Sequence, residues 1–325
     1  MKTTIDALKF RTLSGPFAIL DALRPCMGFI DQDLLTLSDQ AEGMDGWQFR
    51  RSLMIAGDVV MGHIDFGGDH MRGVVRVSLP GSGCAWVQDW SVIERLPKVL
   101  EKASIMRLDI ALTTYQGEVT HEKVVQAHEA RQFCTGGRHP HRRVIEGSDP
   151  HAGRTVYVGN RKSAKFLRAY EKGWEMLKDY PVSVREMIAS MGARIQVDGV
   201  GHVEPDKVYR VEVEFKDEDR RVVPWEAIGK RDEYFAGAYP FCASLLPGVP
   251  ETRIKAIPEA GAKLALASAL DHCRRSYGAT IRAAVMAYGG DLERVMGIIT
   301  SEKPADQLIA AGVLLVNHAG ARETV

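Results

Sequence analysis

Apolar and polar positions alternate along several short runs, and this period of two predicts strands. In MRLDIAL, residues 106 to 112, Met106, Leu108, Ile110 and Leu112 fall on one face and Arg107 and Asp109 on the other. In YRVEVEFK, residues 209 to 216, Val211, Val213 and Phe215 oppose Arg210, Glu212 and Glu214. In KFLRAYEK, residues 165 to 172, Leu167 and Ala169 oppose Arg168, Tyr170 and Lys172, so a phenol stands between two cations. Stacked in one sheet, these runs would gather carboxylates, cations and a tyrosine on a single face. An ordinary solvent face also carries alternating charge. Solvent faces favour Thr, Ser and Lys, however, whereas these runs repeat Arg-x-Asp, Arg-x-Glu and Arg-x-Tyr.

The N-terminal part reads as further strands, over Ile5 to Arg11, Trp47 to Ala56, Val59 to Phe66 and Val74 to Leu79. PGSGCAWV, residues 80 to 87, reads as a glycine turn; it lacks the G-x-x-x-x-G-K-[ST] of a phosphate-binding loop. Helical spacing follows over Ser91 to Lys102, Thr120 to Thr135 and residues 182 to 194, and Thr155 to Val158 pairs with the tyrosine run as a hairpin. Beyond Pro247, Pro250 and Pro258 the chain becomes alanine-rich, with helices expected to break at Gly278 and at Gly289 and Gly290. The expectation is an α+β fold, a mainly antiparallel central sheet with covering helices over residues 1–250 and a helical C-terminal subdomain over 251–325.

Charge changes this picture only locally. The 325 residues carry 42 basic and 42 acidic side chains, so no global field draws the chain toward nucleic acid. From Arg131 to Lys172, however, ten cations face three acids, with His139, His141 and His151 beside them. That excess of seven suits a polyphosphate partner, met through Arg142, Arg143, Arg161, Lys162 and Lys165 in the basic loop and turn and through Arg107 and Arg210 on the strands. The bland reading is a solvated loop. RHPHRR, residues 138 to 143, imitates a His-x-His metal motif, but Pro140 is ill suited to a central strand. Five scattered cysteines without C-x-x-C spacing read as reduced thiols, and neither a signal-peptide pattern nor a membrane-length apolar run is present, so a cytoplasmic protein is expected.

The chemistry such a face supports is phosphoryl transfer. Asp109 with Glu212 or Glu214 offers hard oxygen ligands for Mg²⁺ or Mn²⁺, and Tyr170 is the candidate nucleophile. An unperturbed phenol ionises near pH 10, so Arg168, Lys172 and the metal itself are expected to favour the phenolate. Tyr157 and Tyr209 are rival phenols that lack flanking cations. Trp86, Trp90, Trp174 and Trp225 suit the core, although one could stack on an unpaired base.

IDALKF, VRVSLPGSGCAWV, RLDIALTTYQG, TVYVGNRKSAKFLRAYEKG and YRVEVEFKD, in this order across residues 4 to 217, resemble the replication initiation factors of filamentous phages and rolling-circle plasmids and the relaxases of some conjugative elements. The resemblance implies metal-dependent nicking of one strand at a replication origin, a 5′-phosphotyrosine link and a free 3′-OH that primes synthesis. It matches Tyr170 to the family's tyrosine, Asp109 and Glu212 to its acids, and Arg168 and Lys172 to the neighbouring cations, with Glu214 and Asp6 as further acids. Origin DNA, a host helicase and a second copy of the chain are the implied partners. The competing class is a DNA-binding phage regulator without enzymatic activity.

Overall fold

The computed structural model describes residues 2–28, 31–149, 151–218, 221–255 and 260–300. The chain divides into two compact units, residues 1–255 and 256–325.

Thirteen strands are described: β1 (Thr4–Thr12), β2 (Leu35–Leu37), β3 (Ala41–Glu42), β4 (Phe49–Ile55), β5 (Val59–Phe66), β6 (Val75–Leu79), β7 (Ser104–Thr114), β8 (Arg142–Ile145), β9 (Thr155–Val158), β10 (Lys165–Tyr170), β11 (Ile195–Val197), β12 (Gly201–Val203) and β13 (Tyr209–Lys216). Eleven of them form one sheet in the order β2, β4, β5, β6, β1, β7, β13, β10, β9, β8, with β3 paired to β4 at its edge; β11 and β12 form a separate hairpin. Every pairing is antiparallel. Long-range pairs such as β1 with β7 and β7 with β13 draw residues distant in sequence into the sheet centre.

One face of this sheet is apolar. Leu8, Val77, Leu108, Ile110, Val211, Val213, Leu167 and Val156 are buried on it. Against it pack α1 (Pro16–Leu23), through Ile19 and Leu23, α3 (Trp90–Glu94), through Ile93, and α4 (His121–Glu129), through Val124. The helices α7 (Arg231–Ala238) and α8 (Pro240–Leu245) add Phe235 and Phe241. Removing that apolar area from water is the main stabilising contribution. The opposite face keeps the charged members of each alternation.

Several elements depart from the sequence pattern. The 80 to 87 stretch is a helical turn, α2 (Gly81–Cys84), rather than a simple glycine turn. Gly83 is required there, because a Cβ would lie 1.7 Å from the Met61 carbonyl oxygen. The helix expected over Ser91 to Lys102 stops at Glu94 and continues as a 3₁₀ turn with Pro97 inside it. The expected 120 to 135 helix ends at Glu129, with its Thr120 cap accepting from the Lys123 amide. The basic segment is not all loop: β8 runs through Arg142 and Arg143 and pairs with β9. The tyrosine strand ends at Tyr170. Lys172 opens the short helix α5 (Lys172–Met176), and α6 (Val182–Ser190) follows.

In the second unit, α9 (Ala260–Ala287) runs unbroken through Gly278, contrary to the expected break. A single glycine costs only about 1 kcal/mol in a helix, which its alanine-rich neighbours absorb. Gly289 and Gly290, both at positive φ, do end it, and α10 (Leu292–Ile299) restarts with Asp291 as its cap.

Candidate functional site

The polar face is assembled by register. Arg168 on β10 lies opposite Glu212 on β13, and Tyr170 opposite Arg210. Glu214 on β13 lies opposite Asp109 on β7, and Arg210 opposite Thr113. Three runs far apart in sequence thus form adjacent rows of side chains. Asp109 continues to Ala7 of β1, and there the register shifts between Ile5 and Ala7. Asp6 is the extra residue of that bulge, which re-aims its side chain. Its Oδ1 accepts from Arg210 Nη1 at 2.5 Å.

Each carboxylate on this face has a cation. Arg107 donates to both Asp109 oxygens, at 2.7 and 2.5 Å, and reaches Glu214 at 2.7 Å. Arg168 Nη2 donates to Glu212 Oε2 at 2.7 Å, and Lys216 reaches Glu214 at 2.5 Å. Arg210 Nε also donates to Thr113 Oγ1. Asp109 and Glu212 are almost wholly buried, at 1% and 5% exposure. Burial is the main reason their carboxyls are pushed up: Arg107 and Arg168 pull in the other direction, and the charge of Asp6 pushes both further. Glu212 also feels Asp109 and rises to about 7.

Tyr170 is 7% exposed. Its ring lies under the Arg168 guanidinium, 4.5 Å from Cζ to centroid, with Lys172 Nζ at 5.9 Å. The protein groups around Tyr170 do not by themselves favour the phenolate. Burial pushes the Tyr170 phenol up to about 12; Arg210 and Arg168 draw it down, while Glu212 and Asp6 oppose them. Lys172 is not on the row of Arg168 and Tyr170, because Glu171 ends the strand and Lys172 turns to pair with Glu175 at 2.5 Å.

Arg107, Arg161, Phe166, Arg168, Glu212 and Glu214 enclose a cavity of about 140 Å³, room for a phosphate-sized group. Arg168 Nε is buried and has no hydrogen-bond partner among the described residues. Tyr170 does not line this cavity; Arg168 stands between the two, touching the phenol ring on one side and Glu212 on the other.

The remaining candidates divide. Arg161 covers the rings of Tyr157 and Phe166, at 5.2 and 5.6 Å. Arg142 is held by Glu129 and the Val125 carbonyl, Arg143 lies opposite Tyr157, and Lys162 is exposed in the turn that Asn160 closes. Lys165 belongs to the opposite, apolar face with Leu167 and Ala169. Strand alternation sends it away from Tyr170. Of the rival phenols, Tyr209 is buried in the core, whereas Tyr157 shares the polar face but lies beneath Arg161. Trp174 is buried and donates to Asp206. Sequence reasoning gave little weight to Asp6, whose place depends on a bulge, and none to Lys216, which the same period of two would have found.

Among the described residues, no three His, Cys, Asp or Glu side chains converge as a ready metal cage. The donor chemistry nevertheless suits a hard cation, which binds through one or two carboxylates and completes its shell with water and phosphate oxygens. Asp109 and Glu212 are buried carboxylates that, with Asp6, disfavour one another's charge, and a cation would relieve that repulsion.

A model of the family described as replication initiation factor matches residues 103–296 of this chain, which includes β7, β10 and β13. Among solved structures, the chain is similar to a rolling circle replication initiator protein from Geobacillus stearothermophilus, with a TM-score of 0.49 and 17% identity over 73% of this chain and 83% of that one. Comparison with curated proteins finds no match.

Proposed function

Because this chain belongs to the replication initiation factor family, we propose that it initiates rolling-circle replication by nicking one strand of origin DNA through Tyr170. The observation that carries the reading is the register of β7, β13 and β10. It sets Tyr170 against Arg210, one row from the Arg168 and Glu212 pair.

In the proposed reaction the Tyr170 hydroxyl oxygen attacks the scissile phosphorus. The bond from phosphorus to the 3′-oxygen breaks, leaving a 5′-phosphotyrosine and a 3′-OH. The phenolic proton is lost to the carboxylate cluster and is returned to the departing 3′-oxygen, which leaves as the 3′-OH. Arg168 donates through its free Nε to a phosphate oxygen while holding the phenol ring, and Arg107 and Arg161 neutralise neighbouring phosphates. Asp109 and Glu212, with Asp6 or Glu214, would hold Mg²⁺ or Mn²⁺. The cation would polarise the phosphodiester and ease loss of the phenol proton. The covalent link retains the energy of the broken ester, so the reverse attack by a 3′-OH reseals the strand. Phage or plasmid origin DNA, a host helicase and a second copy of the chain are the partners this reading calls for, in a host cytoplasm.

The test is covalent capture. Protein is incubated with Mg²⁺ or Mn²⁺ and single-stranded DNA carrying its replicon's origin, and the denatured mixture is examined for a protein–DNA adduct. Wild type forms the adduct and Tyr170→Phe does not. An adduct that survives this substitution removes Tyr170 as nucleophile, and tight binding without cleavage favours a regulator instead.

A further inference from the structure

The charged residues left unused by the proposed chemistry gather at the start of β10, on the other side of its strand from Tyr170. Lys165 lies there, about 17 Å along the strand from Tyr170 at 3.3 to 3.4 Å per residue. It lies between two cavities that it lines together with Ser163. One, of about 380 Å³, is also bordered by Arg221 and Arg253; the other, of about 910 Å³, by Arg138 and Arg142. Among the described residues, no carboxylate lines either cavity.

Among the described residues, the Lys165 ammonium has no acidic partner. It donates to the Ala238 carbonyl, is 3.5 Å from Thr135 Oγ1, and rests on the Tyr239 ring at 3.9 Å. Burial lowers its pKa to about 8; Cys242 opposes that shift, and Arg253 and Arg221 add smaller effects in the same direction as burial. Arg253 is partly balanced by Glu251 at 3.1 Å outside the cavity lining, whereas Arg221 has no ion pair among the described residues. A buried cation is ordinarily compensated by an anion. Here the half-buried Lys165 and Arg221 and the exposed Arg253 border a 380 Å³ space whose lining holds no carboxylate among the described residues, while backbone and hydroxyl groups supply the remaining polar lining.

We infer that Lys165, Arg221 and Arg253 form a second anion site, separate from the Tyr170 face, that takes the phosphates of a polyphosphate chain. Arg138 and Arg142 continue it into the wider neighbouring cavity, so the site accommodates more than one phosphate. Two sources share this chemistry: the backbone of a DNA strand and the phosphate tail of a free nucleotide. The site does not depend on nicking, and Tyr170→Phe leaves it intact, so its failure and that of the proposed reaction are distinguishable.

Inorganic tripolyphosphate is the probe, titrated calorimetrically into the full chain without divalent metal, with ATP and a twelve-nucleotide oligothymidylate as competitors. Wild type binds saturably, and the Arg221→Gln, Arg253→Gln double variant binds about tenfold or more weakly, as expected for two lost charge-assisted contacts. Both arginines are at least partly exposed, so the melting temperature of the free double variant stays at the wild-type value, and each single variant shows an intermediate loss. Displacement by the oligothymidylate identifies a DNA backbone as the source. Displacement by ATP alone identifies a nucleotide. Absence of saturable binding, or wild-type affinity in the double variant, overturns the site.

Discussion

Replacing Glu212 with Gln should stabilise the protein at alkaline pH while abolishing the adduct. The Glu212 carboxyl rises from 4.5 to about 7. At about 1.4 kcal/mol per pKa unit, its ionised form is disfavoured by roughly 3 kcal/mol in the folded state. The sign follows from the direction. A carboxyl raised by folding contributes stability that is full below about 4.5 and lost as pH climbs through 7. Burial is the main cause, Arg168 opposes it, and Asp6 and Asp109 add repulsion. Gln mimics the neutral acid, keeps an oxygen for Arg168 and relieves Asp6 and Asp109. We expect Glu212→Gln to gain about 1 to 3 kcal/mol at pH 8, or roughly 2 to 10 °C in melting temperature for a unit of this size, and to match wild type at pH 4.5. Differential scanning calorimetry across this range reads the gain. Millimolar Mn²⁺ should offset most or all of that gain by stabilising wild type alone, about 2.7 kcal/mol at one hundred times its Kd. A variant no more stable than wild type at pH 8, or a gain that persists at pH 4.5, refutes the account of Glu212.

Other outcomes follow from the same face. The rate of adduct formation should climb between pH 6 and 9, because the Tyr170 phenol, pushed up to about 12, must shed its proton in the attack; a flat single-turnover profile argues against that assignment. Arg168→Lys should retain the fold by circular dichroism but slow single-turnover nicking about tenfold to a hundredfold, since a lysine cannot cap the phenol ring, hold Glu212 and offer Nε together. Gly83→Ala should lower stability by about 2 kcal/mol or more in urea unfolding, its Cβ meeting a backbone oxygen at 1.7 Å that no side-chain rotation can relieve.

The period of two made much of this face legible. It assigned Arg107, Asp109, Arg168, Tyr170, Arg210, Glu212 and Glu214 to polar positions because alternation in a strand is set by backbone geometry alone. Lys172 lay beyond that rule's reach: the strand ends where Glu171 caps a helix whose Gly173 packs against Pro205, too closely for a Cβ. Lys165 was within reach, since a residue one step from Phe166 must share the Leu167 face. Asp6 was not, because a bulge exists only in a pairing between β1 and β7 and neither strand alone encodes it. The upward push on the Tyr170 phenol was hidden for a different reason. Flanking cations can be read from a sequence, but the burial that outweighs them at Tyr170 comes from the completed sheet.

These features also explain why the arginines and carboxylates are paired as they are. In the free protein Arg107 and Arg168 occupy Asp109, Glu214 and Glu212, which makes two buried acids and a half-buried one tolerable. On the proposed reading, a DNA phosphate entering beside Arg168 competes for the same guanidinium groups and frees the carboxylates for a divalent ion. That ion in turn favours the ionised acids and neutralises the phosphate. DNA and cation then each strengthen binding of the other, as reciprocal linkage requires. On the same reading the face holds its tyrosine protonated until both are present, which would restrain Tyr170 from attack before the strand is in position.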